Sequence, residues 1–299
     1  MSSKKINKIL NKIIVILIVL VIGAYTKDKV LDERKTSIKT SSITDSKLEI
    51  YFFDVGQADS ILIKENDYAM LIDGGNKNDG ENLVNYLKNE IKLNDIDVVI
   101  GTHPHEDHIG GLTDVIETFD IGNIYLPNAT TTTKIFEHLL NSIENKNYKI
   151  TIPKINEEIK LNNMIFKVIY TGTDETDLNN TSIILKLNYG KTKYLFTGDA
   201  TNITEEKILN KDITSDVLKV GHHGSNYSTT EEFLNRVNPK YAIIQVGKDN
   251  KYNHPTKETL KKLNERSIKI YRTDKNGTIK LTSDGTDIEI ETIKTNIDG

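Results

Sequence analysis

Three histidines and an aspartate crowd into six positions of this chain, His103-Pro104-His105-Glu106-Asp107-His108, and no other stretch constrains the fold so tightly. The β-branched run Asp97–Thr102 just before them predicts a strand. Residues two apart in extended backbone point the same way, so His103 and His105 can face one ion at the strand's carboxyl end. Asp107 and His108 are offset and can serve a second ion beside the first. Gly110-Gly111 permits a tight exit into a following helix. The chain has seven histidines in 299 residues, too few for this cluster to be an accident. It has no cysteine, which excludes disulfides, thiolate ligation and thiol catalysis. Every metal ligand must therefore be nitrogen or oxygen, a set that suits Zn²⁺ and also Mn²⁺ or Fe.

From Leu48 onward, runs of strand length alternate with turn signals and a few helical periods. Leu48–Val55, Ser60–Lys64 and Tyr68–Ile72 predict strands before the histidine box. Asn123–Leu126, Ile165–Tyr170, Ser182–Asn188, Lys193–Thr197, Val217–Val220 and Tyr241–Val246 continue them. Ile268–Tyr271, Thr278–Leu281 and Ile288–Thr292 close the chain. Apolar spacing predicts helices over Glu81–Ile91, Ile135–Ile143, Glu205–Leu209, Glu231–Val237 and Thr256–Arg266. Strands with helices between them, in both halves, suggest an α+β fold of two mixed sheets packed face to face with helices outside, a four-layer αββα sandwich.

The amino-terminal end differs from this body. Lys4, Lys5, Lys8 and Lys12 precede an uncharged apolar run, Ile13–Tyr25. Thirteen helical residues span about 20 Å against a bilayer core of about 30 Å, the length of a signal-peptide apolar segment. Residues 1–28 are thus expected to be a signal peptide or membrane anchor, residues 29–46 a polar linker, and residues 47–299 the working domain. Both readings of the leader place the body outside the cytoplasm, secreted or held to the membrane by its N-terminus. The first 46 residues carry nine basic and four acidic groups, leaving a body of net charge −9 within an overall −4. An acidic body argues against a broad nucleic-acid groove but leaves room for a small phosphate site centred on metal.

The segment His103–Gly111 matches the HxHxDH metal box of the metallo-β-lactamase fold superfamily. The chain resembles the hydrolase domain of ComEC-type competence proteins and their stand-alone relatives within it. Six ordered segments carry the resemblance: Phe53–Ser60, Leu71–Gly75, Thr102–Gly111, Phe196–Asp199, Gly221–Ser225 and Asn253-His254-Pro255. The resemblance implies a metallo-β-lactamase sandwich holding a pair of divalent ions, Zn²⁺ first among them. His103, His105, Asp107, His108 and Asp199 would be metal ligands, Asp199 bridging both ions. Asp73 would support the site by hydrogen bonding a ligand. Of His222 and His223, adjacent residues pointing apart if extended, His222 is favoured as ligand and His223 as the supporting or catalytic partner. Ser225 and Asn180 are expected to touch substrate. His254 would be a last ligand or, with Asp107, His223 and Asp73, part of the catalytic set. His138 reads as a solvent-facing helix residue.

Two departures stand out. Many superfamily members place a further histidine between the box and the bridging aspartate, whereas this chain has Asn179-Asn180-Thr181-Ser182 there. Ala58 replaces the middle glycine of the opening motif. The implied activity is an extracytoplasmic hydrolase that uses a metal-bound hydroxide on a phosphodiester, as a nuclease or a phosphocholine-esterase-like enzyme. The expected substrate is a small or polymeric phosphodiester, DNA among the candidates. The alternatives are amide or ester hydrolysis of the β-lactam or lactone type, and a metal-binding interaction module without activity.

Overall fold

A computed structural model describes residues 46–173, 176–294 and 297. The expected leader and most of the linker lie outside them. Among the described residues no helix is long and apolar enough to cross a membrane.

Eight strands form the first sheet: β1 (Leu48–Phe52), β2 (Ser60–Glu65), β3 (Tyr68–Gly74), β4 (Asp95–Ile100), β5 (Asp120–Tyr125), β6 (Ile150–Thr151), β14 (Thr278–Ser283) and β15 (Ile288–Ile293). Their order is β15-β14-β1-β2-β3-β4-β5-β6. The second sheet, in the order β13-β12-β11-β10-β9-β8-β7, takes β7 (Glu158–Leu161), β8 (Met164–Tyr170), β9 (Ile184–Tyr189), β10 (Thr192–Phe196), β11 (Val217–Lys219), β12 (Tyr241–Ile244) and β13 (Lys269–Arg272). Each sheet is antiparallel on one side and parallel on the other, with β3 to β6 and β10 to β13 as the parallel parts. The short strand β7 was not expected from the sequence. Charged residues occupy half its positions, and its pairing with β8 across Asn162-Asn163 forms it.

Period-two alternation sorts side chains into three apolar interfaces. On the first sheet Ile50, Phe52, Ile61, Ile63 and Met70 face the second sheet, meeting Phe166, Leu185, Leu187, Tyr194 and Phe196. Their chain neighbours Tyr51, Leu62 and Leu71 face outward. There they pack on helices α1 (Gly80–Asn89), α3 (Leu112–Thr118) and α4 (Lys134–Asn145), through Leu83, Val115 and Leu139; α2 (Glu106–Ile109) is the short turn between β4 and α3. On the second sheet Ile184, Leu195, Leu218 and Ala242 face helices α5 (Asn202–Ile208), α6 (Glu231–Val237) and α7 (Lys257–Glu265), meeting Ile208, Phe233 and Leu263. Three apolar interfaces between four layers make the αββα sandwich that the strand pattern suggested. The short helix α8 (Thr273–Asn276) follows β13.

The glycines after the histidine box mark a close approach. A Cβ on Gly110 would sit 2.3 Å from the Lys77 amide nitrogen, and one on Gly111 would sit 2.2 Å from the Gly74 carbonyl oxygen. The box is thereby pressed onto the end of β3. Gly111→Ala is expected to destabilise the domain by about 1–3 kcal/mol, an overpacking cost, measured as a lower urea midpoint with unchanged slope. An unchanged midpoint would mean that this contact does not hold the box.

Candidate metal centre

The loops that leave β3, β4, β10, β11 and β12 converge at the edge where the strands' carboxyl ends emerge, where side chains on separate loops can meet without disturbing a sheet. Asp73 is the last residue but one of β3, with its backbone at φ +59. Thr102, just past β4, donates to both of its oxygens: its amide to Oδ1 at 2.7 Å and its hydroxyl to Oδ2 at 2.8 Å. Asp73 Oδ2 also accepts from His108 Nδ1 at 2.8 Å, which directs His108 Nε2 into the site. His103 Nε2 and His105 Nδ1 lie 3.0 Å apart, so the two imidazoles do converge. His103 is fully buried, and Thr102 Oγ1 approaches its other nitrogen at 3.2 Å.

Beside that pair lies a cluster of four donors from Asp107, His108, Asp199 and His223, all within 4.8 Å of one another. Asp199 Oδ2 is 3.3 Å from His108 Nε2 and 3.5 Å from His223 Nε2. Asp107 Oδ2 is 3.3 Å from His223 Nε2 and 3.8 Å from His108 Nε2. Bonds of about 2.0–2.1 Å from a tetrahedral Zn²⁺ would place donor atoms about 3.3–3.4 Å apart, so these separations fit. Two buried atoms of the cluster, His108 Nε2 and Asp199 Oδ1, make no hydrogen bond among the described residues. Unsatisfied buried polar atoms are costly, and a bound cation would relieve both. The donor set therefore fits divalent metal.

His222 and His223 are not extended. Both have positive φ, 49° and 52°, in the 3-10 turn Gly221–Gly224 that follows β11. This corrects the expectation that they point to opposite sides. The turn carries His223 into the four-donor cluster and leaves His222 Nε2 3.9 Å from Asp199, so the geometry favours His223 over His222 as the cluster's imidazole. His223 Nδ1 donates to the Gln245 carbonyl at 2.9 Å, which leaves Nε2 free to face the cluster.

Behind His223 sits a buried ion pair. Asp59, from the loop between β1 and β2, places Oδ1 3.4 Å from His223 Nδ1 and Oδ2 2.6 Å from Lys219 Nζ. Asp59 and Lys219 are each 1 % exposed. The Asp59 amide donates to the Asp107 carbonyl at 3.0 Å, tying the opening motif to the histidine box. The sequence reading gave Asp59 and Lys219 no role. A lysine inside a strand that feeds a histidine cluster was the available signal, because full burial of such a charge requires a partner.

Charge and burial compete throughout the site. Burial opposes charge on His108, yet Asp199, Asp73 and Asp107 outweigh it and hold its pKa well above the ordinary value. Burial likewise opposes charge on His223, but Asp199, Asp107 and Asp59 push it up to about 10. Asp199 and Asp107 lie below the usual carboxylate range, because the charges on His108 and His223 overcome their burial. Burial and the charge on His108 drive His103 down. In the metal-free protein His108 and His223 thus hold protons at neutral pH, which a metal must displace. Metal binding is expected to release about two protons, read by calorimetry in buffers of different ionisation enthalpy. Affinity should rise with pH towards the His223 value of about 10. A binding enthalpy independent of buffer would exclude His108 and His223 as ligands.

Over the cluster opens a cavity of about 330 Å³, lined by His105, Asp107, Asn179, Asp199, His222, His223 and His254, with Gln57, Glu106 and Tyr252 at its sides. Asn179 occupies the segment where many superfamily members carry a further histidine, and its buried Oδ1 has no hydrogen-bond partner among the described residues. Asn180 does not reach the cavity. It is 2 % exposed, and its Oδ1 accepts from Thr201 at 2.6 Å and Thr204 at 2.9 Å. The 3-10 turn Leu178–Thr181 rotates it inward, which corrects its expected contact with substrate. Ser225 is corrected for a similar reason: it is 1 % exposed, outside the cavity lining, and its Oγ accepts from the Tyr227 amide at 3.2 Å to hold a turn. His254 does face the cavity, against the Tyr252 ring at 5.7 Å. Burial and the charges on His222 and His223 lower its pKa to about 4, so at neutral pH it offers a lone pair rather than the proton of a general acid. His138 is exposed on α4, as expected.

A family model described as the metallo-beta-lactamase superfamily matches residues 53–248. ComE operon protein 3 of Bacillus subtilis is 30% identical over 255 residues, covering 79% of this chain and 33% of that protein. Competence protein ComA of Neisseria gonorrhoeae is 25% identical over 253 residues, covering 82% of this chain and 33% of its own length. The chain thus spans about a third of the curated relatives it matches. Among solved structures, the metallo-beta-lactamase fold protein YhfI from Bacillus subtilis superposes with a TM-score of 0.55 at 12% identity, over 80% of this chain and 100% of that one. CmlA, a diiron beta-hydroxylase from Streptomyces venezuelae, gives 0.52 at 14% identity, over 76% and 52%.

Proposed function

Because this chain belongs to the metallo-beta-lactamase superfamily, with competence proteins as its relatives, we propose that it is a metal-dependent hydrolase that cuts a phosphodiester, with Zn²⁺ as its metal. The observation that carries this reading is the cluster of Asp107, His108, Asp199 and His223 beside the His103–His105 pair, at the floor of an open cavity. Such ions supply a water of lowered pKa and neutralise negative charge on the substrate's oxygens. The chain's own groups do the rest. Asp199 Oδ2 stands between His108 and His223, and its buried Oδ1 makes no hydrogen bond among the described residues, so Asp199 would help hold the metal. Asp73 holds His108, and Gln245 with Asp59 holds His223, each fixing which ring nitrogen faces the site. Neutral His254, Tyr252 and Asn179 wall the cavity and are placed to accept hydrogen bonds from substrate or water. The basic residues before an apolar run in the leader support an extracytoplasmic location, secreted or anchored.

The test is metal analysis of the purified full chain together with turnover of bis-p-nitrophenyl phosphate, nitrocefin and linear DNA. Two equivalents of zinc and cleavage of the phosphodiester are expected. Nitrocefin turnover alone would replace the reading by amide hydrolysis, and a chain that takes up metal but turns over none of the three would point to an interaction module.

A further inference from the structure

A second and larger cavity, about 800 Å³, adjoins the metal cavity, and His254 lines both. That volume lies in the range of sites for small ligands. Its wall carries Lys248, Lys257, Lys275 and Arg272 against Asp249 and Asp274. Arg272 is spent on Asp274, donating from Nε to Oδ1 at 2.8 Å. The three lysines are exposed, and none has an ion-pair or hydrogen-bond partner among the described residues. Elsewhere among the described residues some lysines pair with carboxylates, as Lys64 and Lys280 with Glu49 and Lys240 with Asp216, while others stand alone on the surface. What sets these three apart is their place: they line one cavity beside the metal cavity, with Arg272, in a body of net charge −9. Cations left without carboxylates at a concave surface raise the local concentration of anions.

We propose that this cavity is a subsite for a second phosphate of the substrate, one that lies beside the phosphodiester seated over the metal cluster. The inference rests on the phosphodiesterase reading and deepens it: the substrate is a phosphodiester with a further phosphate attached to the same molecule, not an isolated diester. The Lys248, Lys257 and Lys275 ammonium groups receive that phosphate, and His254 stands at the boundary between it and the scissile group.

The experiment compares two chromogenic esters on the zinc-loaded full chain: the 5′-p-nitrophenyl ester of thymidine 5′-phosphate, and the same ester carrying a 3′-phosphate. Binding of thymidine 3′,5′-bisphosphate is titrated in parallel. The unaltered protein should favour the doubly phosphorylated ester by about tenfold or more in kcat/KM, the worth of one charge-assisted hydrogen bond. In Lys248→Gln/Lys257→Gln/Lys275→Gln that ratio should fall to within about twofold of one, and bisphosphate affinity should fall about tenfold or more. A control making the same charge change at Lys134, Lys146 and Lys191, outside both cavities, should keep the ratio. A ratio that survives the cavity variant, or that falls equally in the control, would overturn the subsite. If neither ester is turned over, bisphosphate binding decides alone: loss only in the cavity variant keeps the subsite and rejects the hydrolase reading, and equal binding in all three proteins rejects the subsite.

Discussion

Asp199→Asn is expected to strip the protein of bound metal and of activity together. Asp199 Oδ2 is 3.3 Å from His108 Nε2 and 3.5 Å from His223 Nε2, so it is the buried carboxylate that sits nearest both of the cluster's imidazoles together. Replacing groups that merely orient a ligand costs about 10–100-fold in metal affinity, and losing this carboxylate itself should exceed that. Asparagine keeps the shape but removes a charge that offsets two raised imidazoles. The fold should survive, because Asp199 belongs to none of the three apolar interfaces. Competition against a chelator of known affinity measures the loss, and circular dichroism checks the fold. Zinc bound with unaltered affinity in Asp199→Asn would remove Asp199 from the ligand set.

Asp59→Leu should be the most destabilising single change near the site. It leaves the Lys219 ammonium buried with, among the described residues, only the Val220 carbonyl, 3.0 Å away, as acceptor. Breaking a buried pair on one side costs about 3–5 kcal/mol, whereas replacing both partners with apolar groups is often near neutral. Asp59→Leu/Lys219→Met should therefore recover most of the stability measured by urea unfolding. It should not recover metal affinity, since His223 would still lack the carboxylate 3.4 Å from its Nδ1. That split separates two roles of one residue, holding the fold and positioning a ligand. Affinity restored along with stability would confine Asp59 to the fold.

The sequence was informative wherever a local rule governs. Strand alternation followed by helical spacing is a local property, and it foretold two sheets with helices outside. The convergence of His103 and His105 follows from the pleat of extended chain, and the structure brings them to 3.0 Å. Local reasoning failed where backbone conformation departs from the default. His222 and His223 lie in a left-handed turn, which no propensity of histidine foretells, and that turn decides which imidazole joins the cluster. Asn179 and Asn180 are indistinguishable as letters, yet one lines the cavity and the other caps Thr201 and Thr204 inside the protein.

By itself the sequence determined the donor chemistry: no cysteine, and six of seven histidines in three motifs at predicted strand ends, leave only nitrogen and oxygen ligands. It determined the layered class of the fold as well, because burial of alternating faces leaves few other arrangements. Tertiary structure alone decided which donors meet. Asp107 and His223 are 116 positions apart, and Asp59 and Lys219 are 160 apart, so only the packing of one sheet on the other sets their distances. It also decided the charge states, since a pKa depends on burial and on neighbours that the order of residues does not reveal.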